Sequence, residues 1–77
     1  MADPTQLLDE AVEVARKAGL PCEGWNMQSG STGYAAWVYR EQEDGQWSLL
    51  DEVEVRPTAE SAATWCLAAM LELVGSP

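Results

Sequence analysis

The chain contains no histidine and no phenylalanine, and only four basic residues stand against thirteen acids. Without histidine, the commonest proton shuttle and the commonest metal ligand are both missing. Four bases in a chain of net charge −9 leave little to neutralise phosphates, which argues against direct binding of nucleic acid or an anionic membrane. Two cysteines with no histidine cannot build a four-ligand zinc site within one chain. No segment approaches the roughly 18 apolar residues of a membrane span. The start, Met1-Ala2-Asp3-Pro4, lacks the basic stretch and apolar run of a secretory signal. A cytoplasmic location is therefore expected, with Cys22 and Cys66 as reduced thiols. A Cys22–Cys66 disulfide is the alternative.

What is present fits one small globular unit spanning residues 1–77. At 47% hydrophobic and 22% charged, the composition is not that of a disordered chain. A chain of 77 residues buries only roughly 60% of the surface its unfolded form exposes, so a thin core is expected.

The first helix is marked at both ends. Asp3 suits the N-cap, Pro4 the first helical position and Gln6 the capping-box position. Leu7, Leu8, Ala11, Val12, Val14, Ala15 and Ala18 recur at spacings of three and four, forming one apolar side. Arg16 and Lys17 suit the negative end of the helix dipole, and Gly19-Leu20-Pro21 stops the helix. The period then shortens. Residues 22–28 read as a strand with Trp25 and Met27 on one side, and 28–33 as a turn-rich connection. Residues 34–39 form an alternating aromatic strand. Asp44-Gly45 predicts a type I′ hairpin turn, and 47–55 the returning strand. Thr58 caps a final helix from Ala59, whose apolar side is Ala62, Ala63, Cys66, Leu67, Ala69, Met70, Leu73 and Val74, closed by Gly75 and Pro77. The expected fold is α+β, in the order α-β-β-β-α, a three-stranded antiparallel sheet with two helices packed on one face.

This order, this length and the alanine-rich last helix resemble the double-stranded-RNA-binding domains. That family grips phosphates through lysines at the start of its last helix. The matching stretch here, Pro57-Thr58-Ala59-Glu60-Ser61, has no base and one acid. The resemblance implies a shape and not RNA binding.

A two-residue Asp44-Gly45 turn sets Glu43 opposite Gln46, Arg40 opposite Leu49, Tyr39 opposite Leu50, Trp37 opposite Glu52, Ala36 opposite Val53 and Tyr34 opposite Val55. Tyr34, Ala36, Val38, Leu49, Val53 and Val55 then make a bed for the helices. Asp51 falls awkwardly on that side, which suggests a bulge. The other face collects Ala35, Trp37, Tyr39, Glu41, Leu50, Glu52 and Glu54. It has two readings: a solvated face with cross-strand aromatic pairs, or a protein-binding surface with tryptophan and tyrosine anchors. Trp65 falls outside the main apolar stripe of the last helix, either packing across the sheet edge or extending such a surface.

No enzyme signature emerges, and no cofactor is expected. The acids cluster as Glu41, Glu43 and Asp44 at the hairpin tip and Asp51, Glu52 and Glu54 on the third strand. A tip cannot exclude water as acid–base or magnesium chemistry requires. The thiols lack a basic neighbour that would make a thiolate. Gly30-Ser31-Thr32-Gly33 lacks the lysine and the following helix of a phosphate loop. In size, acidity and compactness the chain resembles the small phage-encoded anti-defence proteins, among them the anti-CRISPRs. That resemblance implies a stoichiometric inhibitor, cytoplasmic in its host, that keeps DNA from the basic channel of an RNA-guided CRISPR effector. Glu41, Glu43, Asp44, Asp51, Glu52 and Glu54 would imitate phosphates, with Trp37 and Tyr39 as contacts. The competing expectation is an acidic adaptor or assembly chaperone, a homodimer through the open sheet face.

Overall fold

A computed structural model describes residues 3–75. Five elements follow the expected order: α1 (Pro4–Lys17), β1 (Gly24–Gly30), β2 (Gly33–Gln42), β3 (Gly45–Ser48) and α2 (Ala59–Gly75). The strands form one antiparallel sheet in the order β1-β2-β3. Pro77 lies outside the described residues.

Local chemistry accounts for the helix ends. The Asp3 carboxylate accepts from the Thr5 amide at 2.9 Å, satisfying one of the unpaired donors of the first turn. At the far end Gly19 takes φ +82, and the Leu20 amide folds back to the Ala15 carbonyl at 3.0 Å. Thr58 caps α2 by accepting from the Ser61 amide at 3.0 Å.

Both helices lie on the same face of the sheet. Leu8, Ala11, Val12 and Ala15 of α1 meet Ala62, Ala63, Cys66 and Met70 of α2, above Ala36 and Val38 of β2. Cys22 completes this buried set. Alanines dominate it and no aromatic ring is fully buried, so the helices approach closely while Trp25, Tyr34 and Trp65 pack around the margin. Trp25 is held there by its indole N–H, which donates to Asp9 Oδ1 on α1 at 2.9 Å. Cys22 and Cys66 are free thiols.

The third strand departs from expectation in turn, register and length. The bend falls at Glu43-Asp44, and Gln42 pairs with Gly45, Glu41 with Gln46, Arg40 with Trp47 and Tyr39 with Ser48. A type I′ turn at Asp44-Gly45 would require positive φ at both residues. Only Gly45 adopts it, at +128, while Asp44 accepts from the Trp47 indole N–H at 3.0 Å. The pairing therefore slips by two residues, which leaves β2's faces unchanged.

The strand also stops early. The Ser48 hydroxyl donates to the Leu50 carbonyl at 3.0 Å and accepts from the Leu50 amide at 3.1 Å, a local turn that competes with the sheet ladder. The Leu49 amide still donates to the Val38 carbonyl of β2 at 2.9 Å, and the chain then regains β2 at Arg56, which exchanges two backbone hydrogen bonds of 2.7 and 2.8 Å with Tyr34. Seven residues thus lie between Ser48 and Arg56, where four lie between their partners Tyr39 and Tyr34. The excess of three is looped out in 50–55, the region where Asp51 suggests a bulge. It also reverses the expected facing of Val55, which is half exposed instead of lying under the helices.

Candidate functional site

The observed register divides the expected binding face into separate parts. β2 keeps Ala35, Trp37, Tyr39 and Glu41 on the side away from the helices, beside Gly24, Asn26 and Gln28 of β1 and Gln46 and Ser48 of β3. Trp37 lies opposite Asn26, not Glu52, and Tyr39 lies between Gly24 and Ser48, not against Leu50. The Tyr39 ring covers Gly24, whose missing side chain would sit 3.4 Å from the phenol oxygen. Asn26 Nδ2 donates to Gln46 Oε1 at 2.8 Å, linking the two outer strands across the middle one. This open face is largely neutral, and Glu41 is its single acid within the strands.

The other expected contact residues lie elsewhere. Leu50 packs against the core margin and shares a depression with Leu49, Asp51, Ala69 and Leu73 beside α2. Glu52 is exposed in the looped-out segment. Glu54 turns to Arg56, whose Nη1 lies 3.4 Å from Glu54 Oε1, while Arg56 Nε donates to Ser61 on α2 at 3.1 Å. Trp65 is half-buried at the core margin and lines a depression with Arg56, Ser61 and Ala68. Of the ten expected site residues, Trp37, Tyr39 and Glu41 share the open face, with Glu43 and Asp44 at the adjoining hairpin tip. Leu50, Asp51, Glu52, Glu54 and Trp65 do not join them there.

The hairpin tip is the strongest candidate surface. Every residue from 41 to 48 is exposed, so the end of the β2–β3 hairpin projects beyond the cover of the helices. It carries Glu41, Glu43 and Asp44, and Asp51, Glu52 and Glu54 follow with no base anywhere between 41 and 54. The single ion pair among the described residues is Glu54–Arg56, so the other five carboxylates of this stretch are left unpaired with bases. Trp47, 50% exposed, stands at the tip with its indole fixed on Asp44. In the sequence Trp47 stands only as the first residue of the expected third strand. Its signal was a tryptophan three residues after an aspartate in a turn, within reach of that carboxylate.

The thiols are an unpromising reactive pair. Burial pushes Cys66 up to about 11, with Cys22 close enough to add to the shift. Burial also raises Cys22. Among the described residues, no group of three or more histidine, cysteine, aspartate or glutamate side chains is placed to hold a metal ion. No described helix is long and apolar enough to cross a membrane. Comparison of the chain with protein-family models, curated proteins and solved structures found no match.

Proposed function

We propose that this chain is a non-enzymatic binding protein whose acidic hairpin docks on the basic surface of a nucleic-acid-binding protein. The observation that carries this reading is the exposed hairpin end, with carboxylates that no base among the described residues pairs. Unpaired carboxylates on a hairpin turn present negative charge at strand spacing, and a groove that accepts phosphates attracts such an array. Trp47, held by Asp44, supplies a pre-ordered aromatic contact at the centre of the charge. The finer form of the proposal follows the resemblance to anti-defence proteins. The partner is then a CRISPR effector subunit in the host cytoplasm, and the effect is exclusion of target DNA.

The test is displacement of labelled DNA from a purified RNA-guided effector of the native host, repeated across salt concentrations. The wild-type chain should compete at 0.1 M salt and progressively lose the competition as salt rises. Replacing Glu41 and Glu43 by glutamine and Asp44 by asparagine removes three exposed charge contacts. At about 0.5 kcal/mol each, that is roughly a tenfold loss of affinity. Binding that ignores salt, or that coexists with bound DNA, sinks the reading.

A further inference from the structure

The helix layer carries a second surface that the hairpin does not explain. α2 is apolar on nearly all sides, a pattern expected of a helix covered all round. Here the sheet covers one side and α1 a second. Leu71 remains 51% exposed, and Leu67 is only partly covered. These two leucines, one turn apart, face Val14 across the outer groove between the helices, and Glu10, Glu13 and Lys17 of α1 form its rim.

We propose that this groove binds an amphipathic helix of a partner protein, with apolar residues on one side and lysine or arginine beside them. Leucines at i and i+4 with a valine on the facing helix form the kind of floor that a helix fills with residues at spacings of three and four. The rim decides the charge of the occupant. Two acids against one base, on a chain of net charge −9, favour a basic flank. A second copy of this chain complements the groove less well than a basic helix, because it brings a like rim of two acids, Glu10 and Glu13, with the one base Lys17. The groove lies on the helix layer, away from the β2–β3 hairpin tip, so it can be tested separately from that site.

The probe is a synthetic 14-residue helix with leucines along one side and lysines flanking them, titrated into the full chain by calorimetry. Two further peptides serve as comparisons, a scrambled one of the same composition and one with glutamate in place of lysine. The amphipathic basic peptide should bind at least tenfold more tightly than either. Leu71→Glu should remove that preference, while Glu43→Gln with Asp44→Asn should leave it intact. Methyl chemical-shift changes should centre on Leu67 and Leu71. The inference is overturned if the scrambled peptide binds equally well or if Leu71→Glu has no effect. It is also overturned if sedimentation shows a wild-type dimer that Leu71→Glu disperses, since a second copy then covers the groove. Loss of preference in the hairpin variant would transfer the binding to the tip and would likewise overturn it.

Discussion

Gly33 is the position at which one added methyl group should disturb the largest part of this fold. Its φ of +138 lies in a region that L-residues rarely occupy, and a Cβ there would meet the backbone carbonyl of Arg56. That carbonyl accepts from the Tyr34 amide in the bridge that ties the end of the acidic segment to β2. In Gly33→Ala the backbone conformation costs about 1–2 kcal/mol. Displacing Arg56 loses two hydrogen bonds at about 1 kcal/mol each. The sum, about 3–4 kcal/mol, compares with a total stability of roughly 4–12 kcal/mol for a chain of this length. A fall in Tm of roughly 12–30 °C should follow. Circular dichroism during thermal and urea unfolding measures it, with Gly30→Ala as control because nothing lies near a Cβ there. The control should change by less than about 1 kcal/mol. A Gly33→Ala protein within 1 kcal/mol of wild type, with the Tyr34 and Arg56 amides still protected from exchange, would falsify the reasoning.

Other outcomes follow from the core and its margin. The Cys66 thiol is raised from 9.0 to about 11 in the folded chain, so between these values the unfolded state has released the proton and the folded state has not. The contribution of Cys66 should therefore be complete below pH 9 and fall as pH rises to about 11, by about 2–3 kcal/mol, a slope that Cys66→Ala should reduce in urea titrations, with Cys22, also raised by burial, leaving a remainder. Met70→Ala empties a fully buried site and should cost about 2–5 kcal/mol, whereas Trp37→Ala on the open face should cost distinctly less. The same denaturation series ranks them, and an equal loss for Trp37 would place that ring in a core contact. Trp25→Phe removes the donor to Asp9 and should cost about 1 kcal/mol, with Asp9→Asn much milder because the amide oxygen still accepts.

The two helices were legible because their ends are decided by nearest neighbours. Asp3, Pro4, Gly19 and Thr58 act on amides within a few residues, and those contacts are present or absent in the local sequence alone. The alternation of β2 was legible for the same reason, and Ala36 and Val38 are buried as expected. The third strand was not. Its apolar and acidic residues alternate well enough to continue to Val55, but the Ser48 hydroxyl captures the Leu50 backbone and ends the ladder. The register then depends on whether Asp44 and Gly45 both take positive φ or Gly45 alone does, a choice coupled to the indole of Trp47. A shift of two residues preserves the faces, which is why Trp37, Tyr39 and Glu41 remain together. The three looped-out residues change the later facing, which is why Leu50, Glu52 and Glu54 leave that face.

Two of the four bases of this chain are spent on its own architecture. Arg16 donates to the carbonyls of Cys22 and Glu23 at 3.1 Å each, fixing the end of α1 to the start of the sheet. Arg56 joins Ser61 and Glu54, fixing the entry to α2. The excess of acid is consequently left to the surface. On the hairpin it acts as exposed point charges, and attraction between such charges fades over about 8 Å at physiological salt. Along the helix groove the acids border an apolar floor, where burial would supply the affinity for the proposed helix and charge would select it. The two surfaces should therefore respond oppositely to sulfate salts. Hairpin contacts weaken as screening increases, while groove contacts persist because excluded salts strengthen apolar burial. A basic partner that engaged both would lose its hairpin contacts first as salt was raised.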